Sequence, residues 1–330
     1  MKPSVPPLLV FCLVMSLNSY TQQAPHCLPL LGCENMTFIC NVSSLREFPT
    51  SFPTGTTFIS IQSTQISSLG ADALQGLPEL QMLFLSNNQL KTLPSGLFRN
   101  LPRLNSLDVS GNLLEDLDPE LFANAGSLTH LSLSKNQLAE LHPSWFKTLE
   151  ELKILHLNHN QMKEILTSCF RKLTQLLSLD LSFNLLCCLS PEMFRGLTSL
   201  TNLNLNNNPI QSIAPQTFHG TPRLRILSHT SLSHVPAGLF QSLKNVGRLD
   251  LSANEITSLD SPLVNGSSLG FTLNLSGNPW ACDCRLQALL NWVQKHNVDL
   301  FPKEDVVCTF PKSLKGQVAT SLNGSQLCSC

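Results

Sequence analysis

Apolar residues recur along this chain at a spacing that neither an isolated helix nor an isolated strand would need. Leu80, Leu83, Leu85 and Leu90 frame Asn88, giving leucine, two variable positions, leucine, one variable position, leucine, two variable positions, asparagine, one variable position, leucine. Leu128, Leu131, Leu133, Asn136 and Leu138 repeat the pattern two turns later. The asparagine returns every 24 residues at Asn88, Asn112, Asn136, Asn160, Asn184 and Asn208. Thr64 stands one period earlier; Thr230 follows Asn208 after 22 residues, and Asn254 and Asn278 follow at 24 each. A second column checks the first: Phe98, Phe122, Phe146, Phe170, Phe194 and Phe218 run at 24 and then step by 22 to Phe240. A two-residue deletion therefore lies between Phe218 and Thr230.

Alternating leucines make a short strand with one buried face, and stacking such strands lines the inside of a curve with a parallel sheet. The expected fold class is an α/β solenoid: a leucine-rich repeat horseshoe of ten coils with a parallel concave sheet and disulfide-tied N- and C-terminal caps. After each strand the chain must turn sharply. The turn would strand buried backbone donors and acceptors, and an inward asparagine amide can pair with several of them at once. Thr64 and Thr230 carry fewer hydrogen-bonding groups, which predicts weaker rungs there. The phenylalanines are read as core on the convex side, where the Pro-x-x-Phe spacing of 119–122, 143–146, 191–194 and 215–218 predicts short turns or single helical turns.

The ends set the compartment. Lys2 precedes an apolar run from Val10 to Leu17, too short to span a bilayer and placed where a secretory signal belongs. Residues 1–23 are therefore expected to be a signal peptide, 24–55 an N-terminal cysteine cap, 56–277 the repeat array and 278–330 a C-terminal cysteine cap. No later run reaches about 18 apolar residues, so membrane insertion is not expected and the chain is read as secreted into the extracellular space. Cys27, Cys33 and Cys40 cluster before the first coil; Cys282, Cys284, Cys308, Cys328 and Cys330 cluster after the last. Such clusters can cover the apolar ends of a solenoid, and they favour disulfides over metal binding. Leu286, Leu289, Leu290 and Val293 fall at helical spacing and predict a short amphipathic helix closing the core.

Five Asn-x-Ser/Thr sequons, at Asn35, Asn41, Asn265, Asn274 and Asn323, are candidate glycosylation sites. A glycan on Asn274 would shield the far end of the concave face. With 21 Lys and Arg against 22 Asp and Glu and no basic run, the footprint for nucleic acid is absent. No phosphate loop, His-Glu-x-x-His or nucleophile elbow is present, so catalytic residues, cofactors and a metal site are not expected. Ser110 and Ser182, with Asp108 and Asp180, are repeat positions rather than a catalytic set. His130, His156 and His159 are read as solvated imidazoles.

What remains is a surface. The outward residue between paired apolar positions reads Ser60, Phe84, Asp108, Ser132, His156, Asp180, Asn204, Asp250 and Asn274. Ten strands at the usual spacing give a face about 43 Å long, enough for a protein partner. The candidate ligand-binding residues are Phe84, Asp108, His156, Asp180 and Asn204, with Phe84 as the aromatic anchor.

The repeats, the Ser276-Gly277-Asn278-Pro279-Trp280 entry into the C-terminal cap, Trp292, Cys308 and Leu314-Lys315-Gly316-Gln317 together resemble the leucine-rich alpha-2-glycoprotein family. Within it, the chain is most similar to the beta-class phospholipase A2 inhibitors. That resemblance implies a secreted, homo-oligomeric, non-enzymatic glycoprotein that binds and inhibits phospholipase A2, selectively the basic isoforms. The glycoprotein itself implies transforming growth factor beta signalling, angiogenesis and cytochrome c binding; a third alternative is a non-catalytic carrier subunit of an extracellular enzyme. The resemblance also implies bridges Cys27–Cys40 and Cys282–Cys308, and Cys284 is expected to join Cys328 or Cys330. Cys33, Cys169, Cys187, Cys188, Cys284, Cys328 and Cys330 look additional to the glycoprotein. Eleven cysteines remain once residues 1–23 are removed, so at least one is free, capped or intermolecular.

Overall fold

The computed structural model describes residues 28–30, 36–224, 226–228, 232–241, 243, 247–260 and 271–327. They fall into two compact units divided after Asn136, where the sequence predicted one continuous array between caps. Cys27, Asn35, Asn265, Thr230, Cys328, Cys330 and the signal segment lie outside the described residues.

In the first unit β1 (Leu28–Leu30) pairs antiparallel with β2 (Met36–Cys40), and β3 (Thr56–Ile61), β4 (Met82–Phe84), β5 (Ser106–Asp108) and β6 (His130–Ser132) follow in parallel. From β4 to β6, residues 24 apart sit opposite one another: Leu83 faces Leu107, and Leu107 faces Leu131. These leucines are buried and their strand neighbours face outward, so the repeat period is the register. Cys40, which closes β2, is disulfide-bonded and buried.

The second unit carries β7 (Ile154–His156), β8 (Ser178–Asp180), β9 (Cys188–Leu189), β10 (Asn202–Asn204), β11 (Ser212–Ile213), β12 (Ile226–Ser228), β13 (Arg248–Asp250) and β14 (Thr272–Asn274). The main ladder is β7-β8-β10-β12-β13-β14, and β9 pairs with β11 apart from it. The phenylalanines lie fully buried, with Phe194 to Phe218 at 5.9 Å and Phe218 to Phe240 at 6.1 Å. Stacking therefore survives the short coil. Leu203 faces Leu227 at the normal 24-residue step, and Leu227 faces Leu249 at 22. Leu232 N–H donates to Asn254 Oδ1, as Leu186 N–H does to Asn208 Oδ1. The deletion thus lies between Leu227 and Leu232.

The asparagines work as expected. Asn184 Nδ2 donates to the carbonyls of Leu157, Leu181 and Ser182 at 3.1, 3.0 and 3.2 Å, while its Oδ1 accepts from Met162 N–H at 3.2 Å. One side chain thereby serves its own coil and the one before. Thr64 is not a bare rung: its N–H and hydroxyl both donate to Asn88 Oδ1, so the following asparagine takes over part of the missing work. At the described ladder positions the preceding residue adopts a left-handed conformation, including Asn87, Lys135, His159, Phe183 and Asn207, with glycine at 111 and 277. Among the described residues the connections between ladder strands are mostly turns, with a 3-10 turn at Pro143–Phe146 and the short β9–β11 pair.

At the C-terminal end β15 (Trp280–Ala281) pairs with β17 (Cys308–Phe310), β16 (Asp299–Leu300) extends the ladder from β14, and α2 (Gly324–Leu327) ends the described chain. Cys282 and Cys308 form a disulfide with Cα atoms 5.5 Å apart. Helix α1 (Cys284–Lys295) buries Leu286, Leu289 and Val293; Leu290 is only half-buried. Asp283 caps it, accepting from the N–H groups of Arg285 at 2.9 Å and Leu286 at 3.3 Å. Burial disfavours the Asp283 carboxylate, but hydrogen bonds from the Arg285 side chain and the two N–H groups outweigh it and hold its pKa below the usual range.

Asn184→Ala strands several buried groups and is expected to cost about 2–4 kcal/mol in urea unfolding, whereas Gln161→Ala, exposed and outside the ladder, should cost under about 0.5 kcal/mol. Asp283→Ala should cost about 1 kcal/mol at neutral pH. Because the folded pKa is depressed, the Asp283 contribution is fully present above the unfolded value of about 3.9 and fades as pH falls through the folded one. Unfolding midpoints of wild type and variant should therefore converge in acid.

Candidate protein-docking face

Strands β4, β5, β6, β7, β8 and β10 are each three residues with the middle leucine inward, so two side chains per coil face out there. In the first unit Phe84 and Asp108 sit directly opposite one another across β4 and β5. In the second, His156 faces Asp180, and Asp180 faces Asn204. The five candidate residues thus form one contiguous group in each unit.

The sequence analysis named only one of the two outward columns. The other runs through Phe58, Met82 and Ser106 in the first unit, and Phe58 meets the Phe84 ring edge-on at 5.3 Å. Met82, opposite Phe58 in register, is exposed. Phe84 is therefore part of a three-residue apolar cluster, the kind of patch that anchors a partner. The signal was present: counting outward from the buried leucine by one residue in both directions finds both columns.

The polar members of the face are partly committed to the backbone. Asp108 Oδ1 accepts from Ser110 N–H at 2.9 Å, and Asp180 Oδ1 from Ser182 N–H at 2.9 Å and the Ser182 hydroxyl at 2.6 Å. Asn204, Asp250 and Asn274 do the same for the residue two positions on, at 3.1 Å each. These side chains cap the turn leaving each strand. Asp250 is buried and its Oδ2 accepts from Arg248 and from Asn274 Nδ2 at 3.0 and 3.3 Å, so its charge is balanced internally. Asp108 in the first unit and Asp180 in the second stay half-exposed, and each gives the outward strand face of its own unit a negative charge.

Asn274, one of the candidate glycosylation sites, takes part in this arrangement. Its side chain is 8% exposed, its Nδ2, where a glycan would attach, points to Asp250, and Ser276 donates to its Oδ1. The Asn-Leu-Ser sequence is the turn cap of this coil, equivalent to the Asp-x-Ser of three others. Asn41 and Asn323 are exposed. Among the described residues no group of three His, Cys, Asp or Glu is placed to hold a metal ion, and no helix is long and apolar enough to cross a membrane. His159 stacks on Phe183 with ring centroids 4.1 Å apart, and Phe183 is 46% exposed despite a left-handed backbone. Neither sequence column pointed to that edge aromatic.

The leucine rich repeat family profile matches residues 55–114, 102–162, 126–186 and 178–228. Over the full length of both chains the protein is 67% identical to "Phospholipase A2 inhibitor" from Gloydius brevicaudus siniticus and 68% identical to "Phospholipase A2 inhibitor beta" from Elaphe climacophora. Among solved structures, a chain in an octameric complex of Latrophilin 3, Unc5D and FLRT2 (LRR) superposes with a TM-score of 0.68 at 22% identity, covering 89% of this chain and 97% of that one. This last likeness concerns the fold alone.

Enzymatic deglycosylation in heavy-oxygen water followed by peptide mapping is expected to label Asn41 and Asn323 and to leave Asn274 unlabelled. Label at Asn274 would show that the Asp250 contact does not persist in the native protein.

Proposed function

Because the chain belongs to the phospholipase A2 inhibitor family of leucine-rich repeat proteins, we propose that it binds and inhibits a phospholipase A2 through the outward strand face. The observation that carries this reading is identity of 67% and 68%, end to end, with two proteins of that name. Those relatives and the repeat scaffold fit a binding protein rather than an enzyme. Secretion, directed by residues 1–23, would place it with an extracellular target.

The face supplies two kinds of contact. Phe58, Met82 and Phe84 offer apolar area on rigid strands, which lose little entropy on docking. Asp108 and Asp180 offer negative charge held in fixed orientation, which complements a basic isoform and steers its approach. Steering of this kind acts mainly on association rate and is screened by salt.

The test must separate charge from turn capping. Asparagine at 108 or 180 would create glycosylation sequons with Ser110 and Ser182, so serine is the better replacement. Ser132 already occupies the same position in its coil. The Asp108→Ser/Asp180→Ser double variant is expected to associate with a basic phospholipase A2 about 3- to 10-fold more slowly at low salt, with the difference shrinking at high salt. Phe84→Ser should raise the dissociation rate by about tenfold or more. Unchanged kinetics in both would move docking off this face, and failure of the wild type to inhibit basic, neutral and acidic isoforms alike would overturn the function itself.

A further inference from the structure

Cys187 and Cys188 follow the ladder residue Asn184 in the second unit, with Cys188 opening strand β9. Both are exposed and neither is in a disulfide. Successive residues of an extended chain send their side chains to opposite sides. Here the Cys187 thiol instead donates to the Cys188 sulfur at 3.3 Å, so the two sulfurs converge. About 1.3 Å of further approach would bring them to bonding distance. The second cysteine is also tied across the coil: Cys188 faces Ser212 in the β9–β11 pair, and the Cys187 carbonyl accepts from Gln211 N–H at 2.9 Å.

We infer that Cys187 and Cys188 form a reversible dithiol–disulfide exchange site whose substrate is a small-molecule disulfide, such as oxidised glutathione or cystine. This goes beyond the inhibitor reading and does not depend on it. Reversibility follows from geometry. A relaxed disulfide holds its Cα atoms about 4.4–6.8 Å apart, whereas adjacent residues lie about 3.8 Å apart across a trans peptide. A ring between neighbours is therefore strained, and strained exposed disulfides are the readily reduced ones. The Cys282–Cys308 bridge of the same unit has its Cα atoms at 5.5 Å and both residues buried, as a permanent link requires.

The order of reaction is set by the neighbours. Hydrogen bonds from Ser212 and then from Cys187 hold the Cys188 thiol below the ordinary thiol range, while donating to Cys188 raises that of Cys187. Cys188 loses its proton to water first, and its thiolate attacks one sulfur of the small disulfide. The electron pair leaves on the other sulfur, which takes up a proton, giving a mixed disulfide at Cys188 and one small thiol. Cys187 then loses its proton to water, and its thiolate attacks Cys188 Sγ and expels the second small thiolate, which takes up a proton to become a thiol. Two protein thiols are oxidised by two electrons while one small disulfide is reduced to two thiols, and excess small thiol reverses both steps. Cys169 does not compete: burial pushes its thiol up to about 11, against a lowering backbone hydrogen bond at Leu166.

Residues 173–195 form one tryptic peptide that contains Cys187 and Cys188 and no other cysteine. The full-length protein would be equilibrated in glutathione buffers of graded redox ratio, quenched in acid, alkylated and digested. The expected result is a doubly alkylated peptide at the reducing end and an unlabelled peptide lighter by two hydrogens at the oxidising end, with a midpoint reached before Cys282–Cys308 is reduced. Cys187→Ser should stop at a glutathione adduct on Cys188. Cys188→Ser should form its adduct at least about tenfold more slowly, because the activated thiol is gone. Titration of the reduced wild type with phenylarsine oxide, which needs two adjacent thiols, should take up one equivalent that either variant loses. A peptide that stays doubly alkylated at every ratio, ends as a mixed disulfide in the wild type, or is found joined to another peptide would overturn the proposal.

Discussion

The structure depends on one recurring hydrogen-bonding device, the buried asparagine amide at the end of each strand. A coil of 24 residues must reverse direction inside a dry interior, where each unpaired backbone group costs about 1–3 kcal/mol. Asn112 shows how one side chain removes that cost: Nδ2 donates to Leu85 and Val109 carbonyls while Oδ1 accepts from Leu90 N–H. Two of those partners belong to the previous coil. The turn of one repeat is thus completed by the next, which couples neighbours and fixes their spacing. Leucine packing alone would tolerate sliding; the amide does not, because its donors and acceptor must all meet partners at once.

The same turn constrains the face that the strands present. A side chain two residues before the turn can satisfy a further N–H, and Asp108, Asp180, Asn204, Asp250 and Asn274 all do so. Short polar residues at these positions therefore have a structural cause. What differs among them is charge, which stays half-exposed at Asp108 and Asp180 and is buried and neutralised by Arg248 at Asp250. The apolar cluster of Phe58, Met82 and Phe84 has no comparable structural duty. It stands on strands whose inward leucine or isoleucine is already buried, and it leaves apolar area on the outward side.

The short coil shows how such a repeat accommodates error. Two residues are lost from the turn between Leu227 and Leu232, yet strand pairing continues on one side of it and the Phe218–Phe240 contact on the other. Packing columns constrain the chain at two places per coil, and the deletion falls where neither applies.

Much of this was legible in the sequence because a repeat writes its own register. The 24-residue period determined which residues pair across strands, which leucines are buried and where the amides act, while helical spacing marked the capping helix and the resemblance implied the Cys282–Cys308 bridge. The alternation encodes both outward columns, Phe58 and Met82 as well as Phe84. Other features had no local signature. That the Asn274 sequon is a buried turn cap depends on Asp250 lying one coil away, and that Phe183 stacks on His159 depends on two turns being brought into contact. The convergence of Cys187 with Cys188 runs against the alternation expected of a strand, and the hydrogen bond that Ser212 contributes comes from the following coil. Periodicity fixes positions along and between coils; how exposed a side chain is, and which neighbour it meets, is decided only once the coils are stacked.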